Sequence, residues 1–246
     1  MSGKIRVGIG GWIFEPWRGT FYPEGLRQKD ELAYVGQHLT ATEINATYYS
    51  TQKPATFAGW AKAVPDGFQF AVKASRFCTN RRVLAEAGES IAKFTQQGLV
   101  ELGDRLGPIL WQFMPTKTFD AGDFAAFLKL LPDSVDGLPL RHAVEVRHES
   151  FDDPAFFDLA KRAGAAVVHA DHPEYPALQG HDVGFSYARL MRTREEEPTG
   201  YSASEIRRWA DEAREQAARG DVYAFFISGA KVRAPAAAQA MIVALQ

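Results

Sequence analysis

Residues Val7–Leu26, VGIGGWIFEPWRGTFYPEGL, open as a strand, turn on glycines and then crowd Trp12, Phe14, Trp17, Phe21 and Tyr22 around Pro16 and Pro23. Whether this stretch cradles a phosphate bears directly on which α/β architecture the chain adopts. A dinucleotide fingerprint needs G-x-G-x-x-G at a strand-to-helix turn. Gly8 and Gly10 supply the first two positions, but Ile13 occupies the third, and Pro16 and the aromatic cluster interrupt any helix. A Walker loop fails as well, because no Gly-Lys-Ser/Thr follows. The glycines therefore serve to turn the strand sharply, and the aromatics pack as an irregular loop over its end. At the C-terminal rim of a parallel sheet such a loop also walls a pocket mouth.

Beyond this stretch, short apolar runs alternate with helical patterns. KIRVGIG, ATEINA, FQFAVKA, GPILWQF, HAVEVRH, AAVVHA, VGFSYARL and DVYAFFIS read as strands. KDELAYVGQHL, PATFAGWAKAV, ESIAKFTQQGLVELG, AGDFAAFLKLL, DPAFFDLAKRAG, SASEIRRWADEAREQAARG and PAAAQAMIVAL read as helices between and after them, the sixth with Ser202 or Ser204 as its cap. Strict alternation implies a parallel sheet with right-handed crossovers. About eight such units in 246 residues fit a TIM-like (β/α) barrel forming one domain over residues 1–246. An open doubly wound sheet is the alternative. The sixth connection, DHPEYPALQGHD, is too polar and turn-rich for a normal helix, so its helix is expected to be missing or short.

Composition narrows the function classes. The chain is 46% hydrophobic and 24% charged, with a formal net charge of −2, an ordinary globular balance that disfavours non-specific nucleic-acid binding. Cys78 is the only cysteine, which excludes a disulfide framework and a cysteine-rich zinc site. Arg76 and Arg81 stand near it and could activate its thiol, but without a paired His motif it is read as incidental. MSGKIRV lacks an apolar signal core and no segment has the length of a membrane span, so a cytoplasmic location without membrane partners is expected.

Several segments together resemble one family. GIGGWIFEPWRGTFYP, TEINATYYSTQKPATFAGWAKAVPDGFQFAVKASR, LGPILWQFMPTKTFD, AVEVRHESF, YSASEIRRWADEA and DVYAFF follow, in order and over nearly the whole chain, the pattern of the YecE-like family, known as domain of unknown function 72. The resemblance implies a TIM-like barrel and no established reaction. It breaks at three places where the family tends to carry His or Asn: Asn80, Met191 and Ser228.

Strand periodicity then places the charges. Side chains alternate between barrel interior and helix layer. This turns Glu43 and Asn45 to one face of their strand, Lys73 inward from FQFAVKA, Gln112 opposite Trp111, and Glu145 and Arg147 inward from HAVEVRH. His169 and Asp171 share a face, and Arg189 falls near the end of its strand. Late strand positions are where barrel active sites are built. Two readings compete, since buried charges must be paired and a lattice of Glu43, Glu145, Lys73, Arg147 and Arg189 can be purely structural. The functional reading is a positively biased rim pocket for a small phosphate- or carboxylate-bearing molecule. Glu43, Lys73 and Glu145 are its candidates for acid–base chemistry, Lys73 also for a Schiff base, within a hydrolase or lyase. Trp12, Asn45, Tyr49, Arg76, Gln112, Arg147, His148, Asp171 and Arg189 are its candidate binding residues. No cofactor is expected. A divalent metal held by Glu, Asp and His side chains at several strand ends, such as Glu145 and Asp171, with His169 and His172 adding ligand types, and serving a phosphodiesterase or nuclease, is the less favoured alternative, with no H-E-x-x-H helix to support it. A non-catalytic binding protein is the third. RTREEEP, from Arg192 to Pro198, reads as a solvated loop.

Overall fold

The computed structural model describes residues 2–180 and 182–246; Met1 and His181 lie outside that description. Its parallel strands are β1 (Ile5–Gly10), β2 (Ala41–Ile44), β3 (Gln69–Lys73), β4 (Leu106–Gln112), β5 (His142–Glu145), β6 (Ala166–Val167 and His169–Asp171), β7 (Phe185–Leu190) and β8 (Asp221–Phe226). β6 is one strand in two halves parted by Val168. Its first half pairs with β5 and its second with β7, and β8 pairs with β1, so the ring is complete. Strand order follows chain order around that ring without reversal, which rules out the open doubly wound sheet.

Helices α1 (Glu31–His38), α2 (Pro54–Ala63), α3 (Gly88–Thr95), α4 (Ala121–Lys129), α5 (Pro154–Arg162), α6 (Ala203–Ala217) and α7 (Ala234–Ala244) follow the strands in turn, except that no helix follows β6 among the described residues. The turn-rich composition of 171–182 accounts for that gap. It leaves a cavity of about 160 Å³ between β6, β7 and α6, where His169 Nδ1 and Trp209 Nε1 are buried without hydrogen-bond partners among the described residues. α6 begins at a capping box: Ser202 Oγ accepts from the Glu205 backbone N–H, while the Glu205 carboxylate accepts from that of Ser202. None of the described helices is long and apolar enough to cross a membrane.

Two apolar layers result from the strand alternation. Val7, Ile9, Ile44, Phe70, Val72, Ile109, Trp111, Val144, Leu190 and Phe226 face the helices. Ala41, Ala71, Leu110, Ala143, Phe185, Tyr187, Tyr223 and Phe225 fill the barrel. Small residues on one side admit the aromatic rings of β7 and β8 from the other. Gly8 belongs to the small side: a Cβ there would lie 2.0 Å from the Ala41 carbonyl oxygen and 3.2 Å from the Phe225 ring. Backbone cannot retreat from such a contact, so Gly8→Ala should destabilise the fold by at least about 3 kcal/mol in urea unfolding. A loss below about 1 kcal/mol would contradict this packing account.

One helix is shorter than its periodicity implies. ESIAKFTQQGLVELG is helical only to Thr95, after which Gly98 takes a left-handed φ of 118° and Leu99–Arg105 continue in short 3-10 turns. At Gly98 a Cβ would stand 2.7 Å from Pro54 Cα, so the chain must turn there to pass α2.

Candidate functional site

A cavity of about 620 Å³ opens at the C-terminal end of the barrel. All eight strand ends contribute to its wall: Gly10 from β1, Asn45 after β2, Lys73 of β3, Gln112 of β4, Arg147 after β5, His172 after β6, Arg189 of β7 and Ile227 after β8. Trp12 and Ile13, from the aromatic loop, form part of its lip. That loop is rigidly seated. Tyr22 donates its hydroxyl to the Trp12 carbonyl at 2.5 Å, and the Trp12 ring meets Trp60 edge-on with centroids 5.2 Å apart.

Beneath the cavity lies a buried ionic lattice. Arg189 donates from Nε and Nη2 to the two oxygens of Glu43, at 3.1 and 3.0 Å, and from Nη1 to Glu145 Oε2 at 2.6 Å. Arg147 Nε donates to Glu145 Oε1 at 2.7 Å, and Gln112 Nε2 to Glu145 Oε2 at 3.0 Å. The Tyr187 hydroxyl donates to Glu43 Oε2 at 2.8 Å. Both carboxylates are fully buried. Burial alone would raise the Glu145 pKa, but Arg189 and Arg147 outweigh it and hold it at about 2. Burial likewise disfavours the Arg189 cation, while Glu145 and Glu43 more than restore it. The burial of Tyr187 and the adjacent Glu43 raise its hydroxyl pKa.

Two carboxylates thus match two guanidiniums, and Lys73 is the charge left over. Its ammonium sits 4.2 Å from the Tyr48 ring centroid, and among the described residues nothing accepts a hydrogen bond from it. The residue is only 9% exposed and lines the cavity. Burial first, then the Arg189 charge, lowers its pKa from 10.5 to about 8 against the opposing pull of Glu43 and Glu145. Thr47 Oγ1 donates to the Lys73 carbonyl at 2.7 Å and fixes the strand end that carries it.

The sequence candidates divide on this geometry. Trp12, Asn45, Tyr49, Lys73, Gln112, Arg147 and Arg189 line the cavity together. Glu43 and Glu145 lie below it, with every oxygen engaged. Arg76 points to solvent beside Phe77, its guanidinium 5.4 Å from that ring. His148 turns away, its Nδ1 bonded to Ser150 at the start of a short turn. Asp171 lies opposite Leu190 in register, on the helix side of the barrel, and accepts from the Tyr201 hydroxyl at 2.8 Å. His169 shares that outer face and packs on Trp209, while His172 enters the cavity wall, so these three side chains do not converge. Among the described residues no group of three or more His, Cys, Asp and Glu side chains is placed to hold a metal ion.

Other participants were not singled out from sequence. Tyr187 could have been, since it stands two residues before Arg189 on the same face. Tyr175 comes from the loop after β6, and Lys231 from the segment after β8; these positions carry no periodic signal, and His172 of the same loop was singled out only as a metal ligand. Two of the three departures from the family pattern, Met191 and Ser228, line the cavity. The third, Asn80, donates from Nδ2 to the Tyr48 hydroxyl at 3.1 Å and so holds the ring that lies against Lys73. Cys78 is buried away from the cavity, and burial pushes its thiol up to about 12 despite Arg81. The native protein should therefore resist thiol alkylation that the unfolded chain undergoes readily; rapid native labelling would contradict this.

A family model described as "Protein of unknown function DUF72" matches residues 6–246. The chain belongs to the DUF72 family. Among solved structures, this DUF72 protein is similar to the DUF72 family protein TM1631 of Thermotoga maritima MSB8, with 24% identity, a TM-score of 0.74 and 97% of each chain covered. A curated relative, the UPF0759 protein YunF of Bacillus subtilis (strain 168), is 25% identical over 160 residues, which is 63% of this chain. The match spans about half of that relative's length, 54%. The barrel is also similar to that of SacUVDE, at a TM-score of 0.58 and 10% identity, with 98% of this chain and 97% of that one covered. At such identities the structural likeness concerns the fold.

Proposed function

We propose that this DUF72 protein binds a small phosphate- or carboxylate-bearing substrate in the rim cavity, and that Lys73 is the group that moves a proton on it. The observation that carries this reading is the unmatched Lys73 ammonium. An unpaired charge buried to this degree weakens a fold, and here it faces a cavity of ligand size rather than a protein partner. Arg147 adds a second contact, because its Nη2 has no acceptor among the described residues while Nε is held by Glu145. Lys231 adds positive charge at the lip, its ammonium 4.6 Å from the Phe14 ring centroid. Glu43 and Glu145 act in this reading by positioning Arg189 and Arg147, not as bases, since their oxygens are fully occupied.

The pH dependence has a definite sign. An anion favours the ammonium form, so the affinity for malonate, a dianion above about pH 7, should be flat up to about pH 8 and fall above it as Lys73 loses its proton, while phosphate adds its own second ionisation near neutrality. Titration calorimetry with inorganic phosphate and with malonate across pH 6–10 tests this. Saturable binding that Lys73→Met abolishes supports the reading; no saturable binding of either anion sinks it. Metal-dependent phosphodiester hydrolysis remains an analogy of fold. Elemental analysis of protein purified without a tag or chelator tests it, and a stoichiometric transition metal would replace the present proposal.

A further inference from the structure

The walls of the cavity are not those of a site for a bare oxyanion. Tyr49 is 64% exposed and Ile13 58% exposed, and both stand on its rim. They rank among the most exposed large apolar side chains of the described residues. The opposite side is a tiered stack. The His172 ring lies on the Tyr175 ring at 3.9 Å and 12°, and the Arg147 guanidinium sits 4.5 Å from the centroid of Tyr175. Arg147 is thus held by Glu145 on one side and by an aromatic plane on the other. Lys73 and Arg147 lie deep, and the shallow wall is apolar and partly aromatic apart from Lys231 at the lip.

Resting on the anion reading above, we propose that the ligand carries its acid group on a flat apolar ring: an aryl phosphate or aryl carboxylate, with the acid at Lys73 and Arg147 and the ring between Tyr49, Ile13 and the Tyr175 stack. A tetrahedral oxyanion alone would leave most of the cavity empty and the rim side chains in water. A ring of the proposed kind covers them and gains aromatic contact as well as burial. The deep charges give orientation, and the shallow walls select the body, which is the usual division of labour in small-molecule sites.

The test is titration calorimetry of the full chain with inorganic phosphate, methyl phosphate and phenyl phosphate, and with acetate against benzoate. Phenyl phosphate should bind about tenfold or more tightly than methyl phosphate, or benzoate than acetate, since burying about 60 Å² of apolar surface suffices for that factor. Tyr49→Ser and Ile13→Ser should erase the advantage of the ring, bringing phenyl phosphate to the affinity of methyl phosphate and benzoate to that of acetate; both residues are exposed enough to be replaced without loss of the fold. Equal affinity of ring-bearing and ringless partners in both pairs overturns this inference and leaves the anion site standing. A ring advantage insensitive to both substitutions also overturns it, because the ring then sits elsewhere. Absence of binding by all five compounds overturns the anion reading itself.

Discussion

Glu145→Gln should cost the native state about 3–5 kcal/mol, measured by urea unfolding at pH 7. The carboxylate has no exposure and receives Arg189 Nη1 at 2.6 Å, Arg147 Nε at 2.7 Å and Gln112 Nε2 at 3.0 Å. A neutral amide keeps the shape but leaves two guanidiniums with one carboxylate, Glu43, for company. It also points an N–H₂ group toward donors, where only an acceptor fits. The size of the effect must depend on pH. Glu145 has its pKa depressed from 4.5 to about 2 in the folded state, so its contribution is complete above about 4.5 and is lost as pH falls to about 2. The gap between wild type and variant should narrow across that window, while the remaining carboxylates titrate in both proteins and largely cancel. Removing Arg147 as well, in Glu145→Gln/Arg147→Met, should return part of the loss, since one unmatched cation then goes with its anion. A loss under about 1 kcal/mol at pH 7, or one independent of pH, would show that the lattice does not hold the barrel as described.

Glu43, Gln112 and Glu145 of this lattice, and Lys73 beside it, were legible from alternation, because their strands carry apolar neighbours on the other face and a period of two then leaves no choice of side. Arg189 was legible only by its place near its strand's end, since Phe185 and Tyr187 share its face and Ser186 stands on the other. Asp171 escaped the same reasoning for a physical reason. In AAVVHA both faces are apolar, because β6 is covered within the barrel and on its helix side alike, so the phase of the strand cannot be read. Only its register against β7, with Asp171 opposite Leu190, shows that it points outward. Arg76 and His148 failed differently. Each lies just beyond a strand end, where the backbone enters a short turn and the alternation stops: Arg76 begins Arg76–Thr79, and His148 precedes Glu149–Phe151. The irregular loop after β6 was anticipated from its prolines and polar residues, with His172 in it as a metal ligand, but not that the loop supplies Tyr175 to the cavity. Loop side chains obey packing with distant residues such as Arg147, and no local period encodes that.

Lys73→Met should be at least as stable as wild type at pH 7, and by as much as about 3 kcal/mol more stable, while losing phosphate affinity. The drop in its pKa from 10.5 to about 8 is the free energy by which the folded site disfavours the ammonium, at roughly 1.4 kcal/mol per unit. Methionine retains an unbranched apolar stem of similar reach and removes the charge, so the packing against Tyr48 survives and the penalty goes. Between pH 8 and 10.5 the unfolded chain holds a proton on Lys73 that the folded chain has released. Wild type therefore gains stability as pH rises through that range, and its deficit against the variant should close there. Phosphate binding to wild type near pH 8 should also take up protons, because the anion restores the ammonium; the dependence of the calorimetric heat on buffer ionisation reads this directly. A structural lysine would behave in the opposite way: its loss would weaken the fold and leave anion binding intact. If Lys73→Met is destabilised by more than about 1 kcal/mol and still binds phosphate, the ammonium is there for the Tyr48 ring, and the site proposed around it does not exist. If stability holds and binding vanishes, the barrel carries at its rim a charge that its own fold disfavours, and what enters the cavity is the partner that matches it.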